Sequence, residues 1–131
     1  MPTRSILVVD DDYALRQLIQ RTLEGAGHQV TCAADGRLAS RAMAQTPRAF
    51  DLVITDMLMP ERDGLELIEE LRRRYSHVRI IAISGGGRIA PEEYLQIAKG
   101  LGANGVLGKP FFPKQLLATV DQVMALEKPV A

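Results

Sequence analysis

Cys32 is the only cysteine of the chain, and its two histidines, His28 and His77, stand singly near turns with no metal-ligand spacing around them. An internal disulfide is therefore impossible, and a reducing cytoplasm is the expected compartment. Cys32 lies in an apolar stretch and reads as a small buried core residue. A charge bias is also missing, because Lys plus Arg and Asp plus Glu both number 16. Nothing in that balance argues for nucleic acid or a membrane surface. No apolar run is long enough to span a bilayer, and the start Met-Pro-Thr-Arg is too short for a signal peptide. Internal repeats, low-complexity tracts and linkers are absent as well. The expectation is a single domain over residues 1–131, with a tail from about 127 that frays. A chain of this size buries roughly two-thirds of its unfolded surface, enough for a real core.

Short Val/Ile-rich runs alternate with helical patterns from end to end. Strands are expected at Ser5–Val9, Gln29–Ala33, Leu52–Thr55, Val78–Ile83 and Gly105–Leu107. The first helix carries Leu15, Leu18, Ile19 and Leu23 on one face and is stopped by Gly25 and Gly27. An alanine-rich helix spans Gly36 to Gln45 and is ended by Pro47. The third starts from a capping box, Asp63-Gly-Leu-Glu66, with Leu67, Ile68, Leu71 and Tyr75 as its inner stripe. The fourth opens with Pro91-Glu-Glu93, and the fifth opens near Pro113 with Leu116, Leu117, Val120, Val123 and Met124 inward. Five strands and five helices in strict alternation predict an α/β fold, a doubly wound parallel sheet flanked by helices.

In such a sheet the carboxyl ends of the strands open on one edge, where ligands bind. The run Ser5-Ile-Leu-Val-Val9 is closed by Asp10, Asp11 and Asp12, and Asp51-Leu-Val-Ile-Thr55 delivers Asp56. Two unit charges at about 4 Å repel by about 4 kcal/mol at an effective dielectric near 20. Gathering several carboxylates therefore calls for a compensating cation, hard and oxygen-seeking, such as Mg²⁺. Asp12 sits where the first helix begins and reads as its N-cap rather than a ligand. Ser84 and Lys109 end the fourth and fifth strands on the same edge. Acids to hold a metal, a further acid as nucleophile, a hydroxyl and an ammonium together make a phosphoryl-transfer site.

The motifs Val8-Val-Asp-Asp11, Asp56-Met-Leu-Met-Pro60 with Asp63-Gly64, Ile83-Ser84-Gly85 and Lys109-Pro-Phe111 resemble the receiver domain of two-component response regulators, over essentially the whole chain. The resemblance implies the flavodoxin-like strand order 2-1-3-4-5 and a stand-alone phosphoacceptor that is not itself an enzyme. It implies that Asp56 accepts a phosphoryl group from a histidine kinase or phosphotransfer protein. Asp11 and Asp56 would bind Mg²⁺ (or Mn²⁺) directly, Asp10 through water, and Leu58 through its backbone carbonyl. The Ser84 hydroxyl and the backbone N–H groups of Gly85 and Met57 would hold phosphoryl oxygens. Lys109 would meet the remaining charge, next to a cis bond at Pro110. Output would run to a partner protein, or a second copy, through the face of the fourth helix, fifth strand and fifth helix, where Tyr94, Leu95 and Ile97 cannot all point inward.

Two departures from the family pattern stand out. The position three before the lysine, often aromatic in receivers, is Val106, whose branched side chain reads as strand packing. The positions flanking the pocket, Leu58 and Gly86, offer no polar side chain to place a water, which implies slow self-dephosphorylation. The run Gly85-Gly86-Gly87 gives the loop after the fourth strand unusual freedom. Two rival functions bear on the same residues. Asp10-x-Asp12 resembles the start of haloacid-dehalogenase-type phosphatases, but that family expects Thr or Val where this chain has Ala14. A pseudo-receiver that binds partners without phosphorylation would not need Asp11, Asp56, Ser84 and Lys109 together.

Overall fold

The computed structural model describes residues 3–46, 49–57, 64–85 and 91–126, with the backbone alone for 64, 65, 91, 92, 94 and 95. The Pro47 helix stop, the capping box at Asp63, Leu58, Gly86, Gly87, the tail and the side chains of Tyr94 and Leu95 lie outside what is described. The elements alternate as β1 (Ser5–Val9), α1 (Tyr13–Gly25), β2 (Gln29–Ala33), α2 (Gly36–Gln45), β3 (Leu52–Asp56), α3 (Gly64–Arg74), β4 (Arg79–Ser84), α4 (Pro91–Leu101), β5 (Gly105–Gly108) and α5 (Pro113–Ala125). The strands form one parallel sheet in the order β2-β1-β3-β4-β5. This is the expected flavodoxin-like α/β architecture, with β4 shifted one residue onward and β3 and β5 one residue longer than anticipated.

The central strands read as continuous apolar runs because both of their faces are covered. Leu7, Val9, Val53, Ile80 and Ala82 pack on one side with Met43, Leu67, Ile68 and Leu71 from α2 and α3. Ile6, Val8, Ile54, Ile81 and Ile83 pack on the other with Ile19, Leu23, Leu116, Val120 and Val123 from α1 and α5. Two expectations need correction. Leu18 does not join the inner stripe of α1 and is 43% exposed, because the buried face runs through Ile19 and Leu23. Cys32 is half-buried rather than enclosed, since β2 is an edge strand, and its Sγ lies 3.4 Å from Gln20 Oε1. Tyr75 follows the last residue of α3 yet still packs, half-buried, against the core on that side.

Helix ends show where glycine is required. Gly25 remains helical, while Gly27 takes φ +96° and the N–H groups of Gly27 and His28 close the end of α1 on the Glu24 and Leu23 carbonyls. Gly102, at φ +113°, ends α4 in the same way. Beside it, the half-buried Arg72 guanidinium donates to the Gly102 and Val78 carbonyls and to Asn104 Oδ1, tying α3 to the starts of β4 and β5. At Gly105 a Cβ would stand 2.7 Å from Val123 Cγ2, so glycine lets α5 lie close on β5. Gly25 has open space and an ordinary φ. Urea unfolding should therefore show Gly105→Ala destabilising by about 1–3 kcal/mol through overpacking. Gly25→Ala should stabilise by about 0.4–1 kcal/mol through the unfolded chain.

Candidate functional site

The carboxyl edge of the sheet brings four strand ends together. Thr55 pairs with Val9, Asp56 with Ile83, and Ser84 with Gly108, so Asp10, Asp56, Ser84 and Lys109 fall at successive positions across β1, β3, β4 and β5. Asp10, Asp11 and Asp56 each offer a carboxylate oxygen, and these three atoms lie within 4.8 Å of one another. Asp10 and Asp56 are buried, while Asp11 is exposed. Because β1 and β3 are held on both faces, the two buried acids cannot drift apart to relieve their repulsion.

Among the described residues, Lys109 brings a cation to these acids. Its Nζ lies 3.3 Å from Asp56 Oδ2 and 3.7 Å from Asp10 Oδ2. The second distance is an ion pair too long for a hydrogen bond, which leaves the buried Asp10 Oδ2 without a hydrogen-bond partner. Asp10 Oδ1 accepts the Asp12 N–H at 2.8 Å. Burial pushes the Asp10 carboxyl above its ordinary value, with Asp56 and Asp11 adding to the rise. The Asp12 N–H and Lys109 act in the opposite direction. A buried carboxylate oxygen without a hydrogen bond, within an all-oxygen triad, fits a hard divalent cation, and the triad is able to hold a metal ion.

The lysine's position has a local cause. Its N–H donates to the Ser84 carbonyl at 2.7 Å, and its bond to Pro110 is cis. Its side-chain stem crosses Gly85 so closely that a Cβ there would stand 2.4 Å from Lys109 Cβ. Ser84 itself is buried at the end of β4. Asp12 is the N-cap of α1, its Oδ1 accepting the Leu15 N–H at 3.2 Å. The Met57 N–H donates to the Ile83 carbonyl at 3.0 Å. Val106 is half-buried against the core. One contact was not anticipated: Arg16 reaches back from α1 to the Asp10 carbonyl. An open depression of about 530 Å³ adjoins the site, walled by Leu15, Leu18, Phe111 and Lys109.

An acid triad with a lysine at the carboxyl edge of a 2-1-3-4-5 sheet defines a phosphoacceptor-type α/β site. The sequence profile of the response regulator receiver domain matches residues 6–121, and the chain belongs to that family. It is 39% identical to the chemotaxis response regulator CheY4 of Vibrio cholerae, with a TM-score of 0.81, covering 93% of this chain and 99% of that one. Regulatory protein VirG of Agrobacterium fabrum is 34% identical over 130 residues, 99% of this chain and 49% of that protein. Sensor kinase CckA of Brucella abortus is 35% identical over 123 residues, 92% of this chain but 12% of that protein. The chain thus spans half or less of these two curated relatives. The family consists of signalling phosphoacceptors of two-component systems rather than true enzymes, and membership implies a histidine-kinase partner. No helix of the described residues is long and apolar enough to cross a membrane.

The raised Asp10 carboxyl gives a pH prediction for the metal-free protein. The unfolded chain releases this proton near the ordinary value of 3.8, before the folded protein does. Stability should therefore fall as pH rises from there through the folded value, then level off. Asp10→Asn removes that fall. In EDTA at pH 7 the variant should melt higher than wild type, and the gap should close below the ordinary carboxylate range. A variant that melts lower at pH 7 would show that the Asp10 carboxylate is net stabilising.

Proposed function

We propose that Asp56 is the phosphoacceptor and that Asp10, Asp11 and Lys109 make its phosphorylation possible. The observation that carries this reading is the placement of Lys109 Nζ 3.3 Å from Asp56 Oδ2 within a triad of oxygens that fits a hard cation. An Asp56 oxygen attacks phosphorus, the bond from phosphorus to the donor's nitrogen or acyl oxygen breaks, and a mixed anhydride forms. Mg²⁺, or Mn²⁺, is the cation proposed; when bound it supplies positive charge against the phosphoryl oxygens. Asp11 and Asp56 would ligate it directly, Asp10 through water and Leu58 through its carbonyl. The Ser84 hydroxyl and Gly85 N–H would receive phosphoryl oxygens. Lys109, already beside Asp56, would take up the added charge. Leu58 and Gly86 supply no polar side chain to place a hydrolytic water, which favours a long-lived phosphoryl group.

The donor would be a histidine kinase or a phosphotransfer protein in the cytoplasm, entering from the open edge beside the depression at Leu15 and Leu18. Output would run through α4, β5 and α5. A groove of about 260 Å³ on that face is lined by Lys99, Val106, Thr119 and Val123, and Ile97 on α4 is exposed. A partner protein or a second copy of the receiver would dock there. The phosphatase rival loses support because Asp12 is engaged as a helix cap.

Intact mass after treatment with Mg²⁺ and a small acyl phosphate tests the central assignment. Wild type should gain one phosphoryl group, and Asp56→Asn none. Lys109→Ala should keep equal or higher Mg²⁺ affinity, since the acids lose a competing counter-charge, while phosphorylating more slowly. Undiminished labelling of Asp56→Asn would move the acceptor elsewhere.

A further inference from the structure

Asp10 and Asp11 sit on one turn, and the peptide between them sets how both side chains face Asp56. The turn is tied at several points: the Asp10 N–H to the Ala33 carbonyl at 3.2 Å, the Asp12 N–H to Asp10 Oδ1 at 2.8 Å, and the Arg16 N–H to the Asp12 carbonyl at 2.9 Å. The carbonyl of the Asp10–Asp11 peptide itself accepts from Arg16 Nη1 at 2.7 Å. The guanidinium is also steadied by the Tyr13 ring, whose centroid lies 5.3 Å from Arg16 Cζ. A charge-assisted bond of this length to a peptide oxygen resists rotation of that peptide, and rotating it would swing Asp11 away from Asp10 and Asp56. We propose that Arg16 is a positioning residue, which orients the Asp10–Asp11 peptide so that the triad meets one divalent cation. This rests on the metal-site reading above.

Charge and position make opposite predictions for Arg16. A guanidinium near a cation site repels the cation, so electrostatics alone would tighten binding when Arg16 is removed. Loss of positioning would weaken it. Binding of Mn²⁺ to the whole chain, followed by the paramagnetic resonance of the free ion, separates the two without any phosphorylation. Arg16→Ala and Arg16→Met should weaken Mn²⁺ binding by about tenfold, the lower end for partners behind a metal ligand. Arg16→Lys, which keeps a charged donor, should recover most of the affinity. Phosphorylation by an acyl phosphate should slow in Arg16→Met at limiting metal and recover at saturating metal. If Arg16→Ala does not fold, Arg16→Met, which keeps the apolar stem, carries the comparison. Unchanged or tighter Mn²⁺ binding, even with a lowered melting point, overturns the positioning role. Absence of Mn²⁺ binding in wild type would overturn the metal-site reading itself, and the inference with it.

Discussion

Three carboxylates with oxygens inside 4.8 Å of one another can be charged together only if cations share their pocket. Much of the molecule follows from that constraint. Asp10 and Asp56 are carried by β1 and β3, strands packed on both faces, so the fold holds them against their repulsion. Lys109 places an ammonium in the pocket, closer to Asp56 than to Asp10. Asp10 Oδ2, which takes no hydrogen bond, lies within this triad, and the triad is able to hold a metal ion.

The lysine is also the link between this pocket and the rest of the sheet. Its backbone is bonded to Ser84, its stem lies on Gly85, and it leads directly into Pro110 and α5. Lys109 therefore touches Asp56, the end of β4 and the segment that leads to α5. Farther away, Arg72 fixes the C-terminal end of α4 to β4 and β5 through Gly102, Val78 and Asn104. That end of α4 is anchored independently of the pocket.

The fold was legible because its signals are local. Alternation of apolar runs with helical periodicity gave the order of the ten elements and located the five strands to within a residue. The acids were legible because they close two apolar, buried strands, and Asp12 because a carboxylate at a helix start has a bonding partner two or three residues on. The strand order came from family resemblance, since alternation permits more than one. The misjudged residues share a cause. Leu18 and Cys32 depend on how far neighbouring elements cover them, which periodicity along one segment does not encode. The roles of Arg16 and Arg72 are not legible in sequence, because both look like solvated helix cations until the carbonyls they reach are placed in space. The crowding at Gly85 is likewise set by a residue on another strand's end.

The direct test of the electrostatic constraint is the melting temperature of the unphosphorylated protein as Mg²⁺ is raised from zero. A cation that binds only the folded triad stabilises by mass action, about 2.7 kcal/mol at a hundredfold excess over its Kd. The midpoint of wild type should climb steadily with the logarithm of Mg²⁺ concentration, and that of Asp11→Asn should stay nearly flat. A wild-type midpoint that does not move at millimolar Mg²⁺, or an Asp11→Asn variant that climbs equally, would contradict a triad built to be completed by a metal.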